Sequence, residues 1–489
     1  MSNFSEFNYD YQNDGNFEMM GRLHKPENYD PTKTYSLVVY YHGSGSPGSN
    51  NTSPVNEMSN NLYNNLVARD AFIYVPQLPG AVGANTWNGT AIDNSMRMVA
   101  TATGMFNIDL SRIYVTGYSL GGGASWIAMS RYHGAIAASA PGAGHISVGE
   151  VRPDYLVGRP IWEFHARDDR TVAITQPQSV INAIRAADGG KAPLSFPLNN
   201  NPSNPYYNTG QPYYTQASGT TYYQENGLRY TEYTSGGHGI SGTMYNDANL
   251  YPWMYAQTSD ASLKAGQKVR FDLGNTPAAT PASNAGDGRM IDTKGQAWNS
   301  FNHYQFNRHV GNIVAFAVTT EGHNTTVMLD TVKAFASYRI DGLAGTGMDA
   351  SISGDSWITL VNASSTDGFA ELLFRGLTAG GLYDLELFAS TSDTDFGRRY
   401  MTRYEIDGEY RDLQASGNVS EWALFDSIEA DEDGYIRLKI YATPGSGSRY
   451  GLLGEMTLTA VPEPGTWVLM ALGGVMILAT RGRLFRRIS

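Results

Sequence analysis

The chain has 489 residues, of which 41% are hydrophobic and 16% charged, and at roughly one to two hundred residues per domain this length predicts two or three folded domains. Its formal charge of −12 disfavours nucleic acid as a partner, because an acidic surface repels phosphates. The absence of cysteine excludes disulfides, thiolate catalysis and Cys-ligated metal centres, and nothing in the composition implies a cofactor.

Short β-rich runs alternate with segments of helical period up to about residue 260. The runs predicted to be buried strands of a parallel sheet cover residues 35–41, 72–75, 112–116, 136–140 and 160–164. Strands separated by helices form βαβ units. Residues 1–260 are therefore predicted to form an α/β domain.

A candidate nucleophile follows the strand predicted over 112–116. The sequence Gly117-Tyr118-Ser119-Leu120-Gly121 comes directly after it and precedes a helical segment, 122–131. In a nucleophile elbow, small residues flank the serine because the turn is tight, and the hydroxyl projects from the carboxyl edge of the sheet. The pattern predicts Ser119 as a nucleophile; the alternative is a glycine-rich turn whose serine caps the next helix.

A nucleophilic serine needs a base and an orienting acid, which after such an elbow follow in the order Asp, His. His238 lies in the glycine-walled loop 235–239, just after the strand-like run 229–234. The other histidines after Ser119 in this domain are His133, His145 and His165. The first two come too soon after the serine, and the third ends a predicted strand, where a structural role is favoured. We therefore predict His238 as the base.

The acid is expected in the loop that follows the strand predicted over 160–164. Two carboxylates, Asp168 and Asp169, adjoin there. One of them can orient the histidine while the other is a solvated or helix-capping group.

An oxyanion hole needs two backbone N–H groups, one from the residue after the nucleophile and one from a loop after an early strand. Leu120 supplies the first. The loop Gly43-Ser44-Gly45, after the strand predicted over 35–41, is the expected source of the second, because glycines allow a close backbone approach. The alternative for this loop is a simple glycine turn.

Residues of about 7–257 resemble α/β-hydrolases, in particular the secreted esterases related to polyhydroxybutyrate depolymerases, feruloyl esterases and the "predicted peptidase" group. The resemblance rests on residues 29–31 (YDP), 42–45 (HGSG), 75–77 (VPQ), 109–119 (DLSRIYVTGYS) and 236–239 (GGHG). It implies that the acid is Asp169, three residues before the loop-anchoring Val172. It also implies a substrate-side loop containing Trp87, and we expect Trp87 and Tyr118 to contact the substrate.

A long insert, residues 196–229, separates the acid from the base. It carries paired tyrosines among Asn, Gln, Ser and Thr, including Tyr213 and Tyr222. Tyrosine offers a flat apolar face with a polar edge, which suits sugar rings and aryl groups. The insert is either a lid or substrate-binding wall that uses these two tyrosines, or a surface hairpin whose tyrosines pack on one another.

Closely spaced strand-like runs replace the helical period over residues 262–460, with Gly, Asp, Ser and Asn between them, and predict an antiparallel β-sandwich of jelly-roll type. Residues 275–288 are expected to be a loop. The runs 271–274 and 298–299 resemble the opening of carbohydrate-binding or malectin-like jelly rolls, which implies a glycan-binding role. The acidic run 431–433 before Gly434 is a calcium loop or, more simply, a solvated turn. No metal site is predicted.

The C-terminal segment 461–489 begins Val461-Pro462-Glu463-Pro464, continues with the uncharged apolar run 467–480 and ends with four arginines. Fourteen apolar residues are short for a bilayer span and favour a buried helix, whereas the basic flank favours membrane anchoring. The segment resembles the PEP-CTERM sorting signal of Gram-negative bacteria. This implies a short hydrophobic helix as a transient membrane anchor, an exosortase-type processing enzyme as a partner, and export to the cell surface or matrix. Residues 1–20 contain no signal-like apolar run, so we expect a start other than Met1.

The sequence as a whole predicts an exported serine carboxylic-ester hydrolase that acts through an acyl-enzyme on acyl or feruloyl esters of polysaccharides. Polyester or peptide hydrolysis is an alternative within the same class. A catalytically silent surface protein that binds glycans or builds a matrix is the alternative from another class.

Overall fold

The structure is a computed structural model of the chain. It describes residues 3–10, 17–80, 86–196, 213–215, 220–273, 289–291, 296–300, 313–333, 335, 337–339, 356–360, 368–392, 400–448 and 450–462. The expected loop 275–288, the apolar run 467–480 and most of the sorting-signal segment lie outside these residues.

A ten-stranded mixed sheet forms the centre of the first domain. Its strands are β1 Phe4–Glu6, β2 Met20–His24, β3 Tyr35–Tyr41, β4 Phe72–Gln77, β5 Ile108–Tyr118, β6 Ile136–Gly142, β7 Ile161–Ala166, β8 Tyr213–Thr215, β9 Thr221–Glu225 and β10 Leu228–Tyr233. Their order in the sheet is β1-β2-β4-β3-β5-β6-β7-β10-β9-β8. The six central strands β4, β3, β5, β6, β7 and β10 are parallel, and antiparallel pairs extend both edges.

Helices cover both faces of this sheet. They are α1 Ser53–Glu57, α2 Asn60–Val67, α3 Gly89–Met105, α4 Leu120–Arg131, α5 Pro153–Leu156, α6 Thr175–Ala187, α7 Ser241–Met244 and α8 Leu250–Tyr255, with a 3₁₀ turn at Val148–Glu150. Every residue of β3 is buried, and Leu37 and Val39 enter one core while Val38 and Tyr40 enter the other. A strand buried on both faces reads as a continuous apolar run, which is why the period-2 signal is absent from it.

The five strands predicted from the sequence are all present as β3 to β7, and the predicted helix is α4, which begins two residues earlier than expected. The α/β class is confirmed, with a helix-flanked, mostly parallel sheet of the kind that the resemblance to α/β-hydrolases implies. Because the central strands are parallel, their carboxyl ends meet at one edge, and loops at that edge can bring distant residues together.

The second domain consists of short strands in three sheets. They are β11 Lys268–Asp272, β12 Arg289–Ile291, β13 Ala297–Ser300, β14 Ile313–Val314, β15 Met328–Lys333, β16 Ser337–Arg339, β17 Ser356–Leu360, β18 Phe369–Arg375, β19 Leu382–Phe388, β20 Met401–Ile406, β21 Glu409–Gln414, β22 Ala423–Glu429, β23 Ile436–Ala442, β24 Tyr450–Leu453 and β25 Glu455–Ala460. Two six-stranded sheets have the orders β12-β13-β11-β25-β19-β22 and β14-β15-β18-β23-β20-β21, and β16-β17-β24 form the third. The pairs are antiparallel except that β11 and β13 run parallel.

Side chains of the two larger sheets form one core, in which Phe271 and Leu385 of one sheet join Phe374 and Leu438 of the other. Strands such as β20 alternate between buried and more exposed residues, as expected for a sheet with one face in the core and one in water. A β-sandwich after the α/β domain therefore agrees with the sequence expectation, and its finer jelly-roll classification stays a prediction.

Arg375, at the end of β18, joins the two domains. Its Nη2 donates to the carbonyl oxygen of Ala100 at 2.7 Å and its Nη1 to Oγ1 of Thr103 at 2.9 Å, both in α3. Its Nε donates to Asp330 Oδ2 at 2.5 Å within the sandwich. Phe316 of the sandwich belongs to the same hydrophobic core as the buried side chains of α3 in the first domain. The domains thus share a packed interface with a buried ion pair in it.

Within the described ranges, the helices are too short or too polar to cross a bilayer. The predicted anchor helix lies outside those ranges, and the expectations of export, exosortase processing and cell-surface localisation stay predictions.

Candidate active site

Ser119 occupies a sharp turn between β5 and α4. Its backbone angles, φ 58° and ψ −119°, are unfavourable for a residue with a Cβ and are kept only where the surroundings enforce them. A Cβ placed on Gly121 would lie 1.9 Å from the carbonyl oxygen of Tyr41, so only glycine fits there. Crowding on the helix side of the turn therefore forces the serine outward at the carboxyl edge of the sheet, as the elbow pattern predicts.

Three residues far apart in the sequence meet at this edge. Nε2 of His238 lies 2.8 Å from Oγ of Ser119, and its Nδ1 lies 2.7 Å from Oδ2 of Asp169. An ionised carboxylate can only accept, so Nδ1 carries the proton and donates it to Asp169. Nε2 is then free to accept the hydrogen bond from the serine hydroxyl. The arrangement is that of a nucleophile, a general base and an orienting acid.

The two adjacent aspartates differ in what they hold. Oδ1 of Asp169 accepts the amides of Thr171 at 2.8 Å and Val172 at 2.9 Å. Burial alone would raise the pKa of Asp169, but the hydrogen bond from His238 and these two amides lower it below its ordinary value, so the carboxyl group stays ionised. Asp168 instead accepts the amide of Gly237 at 2.7 Å and orders the loop that carries the histidine.

The loop of His238 is held from below by Tyr118. The Tyr118 hydroxyl donates to the carbonyl oxygen of His238 and accepts the amide of Ile240 at 3.0 Å, and the two rings lie 5.5 Å apart. Gly236 has φ 140°, which a residue with a Cβ rarely adopts. Tyr118, expected to contact the substrate, is thus used to fix the position of the base.

Two elements supply amides beside the nucleophile. The amide of Leu120 belongs to the first turn of α4, where N–H groups have no partner within the helix. The loop at Gly43 is close to the serine, since a Cβ on Gly43 would lie 3.6 Å from the Cβ of Ser119. The Gly43 amide, however, donates to Oε1 of Glu57 at 2.5 Å. Of the three predicted donors in this loop, Ser44 and Gly45 are therefore the candidates for the oxyanion hole.

Glu57 and His42 hold the Gly43 loop; sequence reasoning assigned no role to Glu57 and marked His42 only as the first residue of the 42–45 (HGSG) motif. Oε2 of Glu57 accepts the hydroxyl of Ser46. His42 is completely buried; its Nε2 accepts the amide of Leu78 at 3.0 Å, so its Nδ1 carries a proton and donates to the Gly43 carbonyl at 2.6 Å. Burial lowers the pKa of His42, which keeps this tautomer neutral. No local motif marks Glu57, because it follows Gly43 by a loop and a helix.

Trp87 is placed differently from the expectation that it contacts the substrate. It is 2% exposed, its Nε1 donates to the carbonyl oxygen of His42 at 3.0 Å, and its ring packs on those of Tyr41 and His42. Its large apolar surface is used in the core beneath the Gly43 loop. The residue supports that loop rather than presenting a face to solvent.

The described part of the tyrosine-rich insert extends the sheet. Tyr222 lies in β9 and pairs with Thr231 of β10 and with Tyr214 of β8. At about 4.8 Å between neighbouring strands, its strand is roughly 19 Å from β5, which immediately precedes Ser119. This placement favours the hairpin interpretation for β8 and β9 and removes Tyr222 from contact with the serine. The side chain of Tyr213 lies outside what the structure describes.

The acidic run of the sandwich forms a turn. Oδ1 of Asp431 accepts the amides of Asp433 at 3.0 Å and Tyr435 at 2.8 Å. Its carboxylate thus has the ordinary role of closing a turn. In the described part of the chain, no group of three or more His, Asp or Glu side chains is arranged as a metal site.

Comparisons with known proteins return partial similarities. No protein-family model matches the chain. It is 24% identical over 196 residues to a bifunctional acetylxylan esterase/xylanase of Neocallimastix patriciarum, a match that covers 38% of this chain and 27% of that protein. Among solved structures it is similar to a thermostable esterase, with a TM-score of 0.40 and 23% identity over 52% of this chain and 63% of that one. It is also similar to the acetyl xylan esterase from Aspergillus awamori, with a TM-score of 0.38 and 14% identity over 51% of this chain and 99% of that one.

Proposed function

We propose that the chain is a serine carboxylic-ester hydrolase that acts through an acyl-enzyme. The proposal rests above all on one observation, the continuous relay from the Ser119 hydroxyl through His238 to the ionised Asp169. A glycine-rich turn that only capped a helix would not need a base within hydrogen-bonding distance; moreover, the Ser119 side chain makes no capping bond to α4.

In the first half of the reaction, Oγ of Ser119 attacks the ester carbonyl carbon while Nε2 of His238 takes the hydroxyl proton. Asp169 holds the imidazole in the correct tautomer and stabilises the imidazolium that forms. The tetrahedral intermediate collapses when its bond to the alcohol oxygen breaks, and His238 returns the proton to that oxygen. The alcohol leaves and the acyl group stays on the serine.

Water completes the reaction by the same route. His238 removes a proton from the water as the water oxygen attacks the acyl carbon, and the serine leaves with the proton returned to it. In both halves the negative charge on the carbonyl oxygen is stabilised by the amide of Leu120 and by one from Ser44 or Gly45. Fixed amides cost no reorganisation when this charge develops.

For the substrate, we propose acyl or feruloyl esters carried by polysaccharides. Two of the proteins to which this chain is similar are named for acetylxylan, a polysaccharide ester. The resemblance to feruloyl esterases adds aryl esters, and a second domain of β-sandwich type is a suitable place to bind the polysaccharide. Polyester or peptide hydrolysis is the competing substrate assignment.

The reaction is tested with p-nitrophenyl acetate and a serine-directed phosphonate. The parent should hydrolyse the ester, and mass spectrometry should find one phosphonate on the peptide containing Ser119. Ser119→Ala should lose turnover by about 10⁴-fold or more and should not be labelled. A folded parent that neither turns over nor reacts with the phosphonate would support the silent glycan-binding alternative.

The substrate class is tested by product release. Acetylated xylan, feruloylated arabinoxylan, polyhydroxybutyrate and a peptide library are compared at equal enzyme concentration, with Ser119→Ala as the blank. We expect acetate or ferulate from the polysaccharides and no monomer from the polyester. Release from the polyester or the peptides alone would reverse the assignment.

We also propose that the protein is exported and loses its C-terminal segment to an exosortase-type enzyme. This rests on the sequence around Val461-Pro462-Glu463-Pro464 and on the apolar and basic runs behind it. The mass of the protein recovered from the surface of a Gram-negative cell is the test. A full-length product in an exosortase-positive cell would contradict it.

A further inference from the structure

Besides His238, another histidine lies close to Asp169, and it is completely buried. His165, in β7, has its Nε2 3.1 Å from the carbonyl oxygen of Val172 and 3.4 Å from Oδ2 of Asp169, the atom that accepts the proton of His238. Its Nδ1 lies 3.2 Å from Oε1 of Glu163. The side chains of Glu163, His165 and Asp169 are all 0% exposed. Two further buried titratable groups, His165 and Glu163, therefore lie behind the acid.

The hydrogen-bond partners determine where the protons are. Both partners of Nε2 are acceptors, so Nε2 carries a proton. Glu163 accepts Nε1–H of Trp126 at 2.8 Å on its other oxygen and also the amide of Gly144, and a carboxyl group that accepts several donors is favoured in its ionised form. An ionised Glu163 requires a proton on Nδ1 of His165 as well. His165 is then an imidazolium paired with a carboxylate.

The electrostatic directions agree with this assignment for the histidine. Burial alone would lower the pKa of His165, but the hydrogen bond to Glu163 and its charge outweigh burial and raise it. Burial raises the pKa of Glu163 above its ordinary value, although the bonds from His165, Trp126 and Gly144 oppose that rise. We place the shared proton on the imidazole, because Trp126 and the amide of Gly144 both donate to the carboxylate.

The other titratable groups around the pair are few. Tyr118 of β5 and Tyr230 of β10 feel the charge of Glu163, and burial raises the pKa of both, so they stay neutral. Glu232 of β10 is opposite His165 in the sheet and is bonded to Arg167. Asp169 and, beyond it, His238 are the remaining titratable groups close to His165.

We propose that His165, held as an imidazolium by Glu163, is a positioning residue that fixes the Asp169 carboxylate and keeps His238 active as a base into more acidic solution. The inference rests on the proposed function, since it concerns the same serine relay. His165 touches neither the substrate nor the reacting atoms and acts only through Asp169.

The direction of the effect follows from distance. The hydrogen bond from His238 to Oδ2 of Asp169 and the 3.4 Å ion-pair distance from the same oxygen to His165 place Nε2 of His165 at most about 6 Å from Nδ1 of His238. A cation at that range opposes protonation of the catalytic imidazole more strongly than the farther Glu163 charge favours it. Removing the charge pair should therefore make the base easier to protonate, and activity should fall at a higher pH.

Glu163→Gln is the main test. The amide can accept from Trp126 and donate to Nδ1 of His165, so the geometry is kept while the imidazole becomes neutral. We expect the acidic limb of the kcat/KM profile to move up by about half a pH unit, with KM unchanged. The downfield proton resonance of the bond between His238 and Asp169 should also shift.

Glu232→Gln is the matched control. It removes another completely buried carboxylate, one strand away, whose partners are Arg167, Gln178 and Tyr230. Its acidic limb should coincide with that of the parent even if its melting temperature falls. Equal shifts in the two variants, or no shift in Glu163→Gln, would overturn the inference.

A second variant covers the case in which Glu163→Gln does not fold. Trp126→Phe removes one donor to Glu163 and weakens the ionised pair. The acidic limb should move in the same direction by a smaller amount, and a folded Trp126→Phe with the parent profile would then overturn the inference. An inactive parent would instead refute the proposed function.

Discussion

The outer face of the sandwich and the centre of the α/β sheet hold paired polar side chains in different surroundings. In the sandwich, strands such as β20 and β23 turn one face to the core and the other to water, and charged groups like Arg403 and Asp412 pair on the outer face. In the α/β domain, β7 is buried on both faces and still carries Glu163 and His165 inside. Enclosing such groups is costly unless they are fully paired.

Backbone strain occurs in both domains. Ser119 adopts a conformation that is costly for a residue with a Cβ, and it does so one residue from the helix that fixes it. In the sandwich, Asp407 is left-handed in a tight turn before a glycine, and Phe316 and Ser427 have a φ of 54° without a following glycine. Ser119 differs from these residues because its side chain belongs to the relay. Four variants test the contrast between the relay with its buried support and the outer face of the sandwich.

Asp169→Asn should have the largest effect. The asparagine amide would donate to Nδ1 of His238, which moves the proton to Nε2 and blocks acceptance from Ser119, so kcat should fall by about 10⁴-fold with the fold retained. Turnover of p-nitrophenyl acetate measures kcat, and near-ultraviolet circular dichroism shows whether the fold is retained. Asp168→Asn is the matched neighbour: its remaining oxygen still accepts the Gly237 amide, and we expect a loss of less than about threefold. An equally large loss in Asp168→Asn would mean that the base depends on both carboxylates.

Arg375→Met should act on stability and leave the chemistry intact. It leaves Asp330 buried without its cation, which typically costs about 3 kcal/mol, measured here by urea unfolding. Burial already raises the pKa of Asp330 against the effect of Arg375, and the loss of the guanidinium raises it further. The folded variant then takes up a proton more readily than its unfolded chain. The decrease in the free energy of unfolding should therefore be smaller at pH 5 than at pH 8.

Arg437→Met is the control for that change. This arginine is half exposed and pairs with Glu371 on the outer face of the sandwich. Its removal should therefore change the free energy of unfolding by no more than about 0.5 kcal/mol. The kcat of both variants should equal that of the parent. A lower kcat in Arg375→Met would mean that the domain interface and the carboxyl edge of the sheet are coupled.

Glu57→Ala should lower kcat by about tenfold to a hundredfold with little change in KM. Its carboxylate holds the Gly43 amide and the Ser46 hydroxyl, and without it the loop that contains Ser44 and Gly45 loses its fixed position. Steady-state kinetics on p-nitrophenyl acetate measure kcat and KM separately. Asn56→Ala, the exposed neighbour in α1, should behave as the parent. Unchanged kcat in Glu57→Ala would show that His42 alone holds the loop.

Local patterns were sufficient for the framework of the first domain. Continuous apolar runs locate β3 to β7, and the turn around Ser119 and the loop around His238 were recognisable because glycine marks both. The signal is weak in β21, because Leu413 is its one buried residue and the alternation of buried and exposed positions is lost. Strand signals weaken where a strand lies at the edge of a sheet.

The supporting residues of the site could not be found in this way. Glu57 meets Gly43 across a loop and a helix, and Trp87 is buried beneath the Gly43 loop although its aromatic ring suited a substrate contact equally well. Whether a polar or aromatic side chain supports a loop or faces a ligand depends on tertiary packing. The three residues of the relay can be predicted from the sequence, whereas the residues that hold them in place cannot.

Asp412→Asn should have the smallest effect, and it tests the other half of the comparison. The hydrogen bond from Arg403 lowers the pKa of Asp412 against the effect of burial, so the stabilising contribution of the pair is complete above the ordinary aspartate pKa and is lost as the pH falls through the lowered one. At pH 7 the variant should lose less than about 1 kcal/mol in urea unfolding, and less again in 1 M salt. Asp426→Asn, an exposed aspartate of β22, is the control. A loss as large as that of Arg375→Met would mean that the outer face of the sandwich, too, depends on a specific charge arrangement, and the contrast between this face and the buried groups would fail.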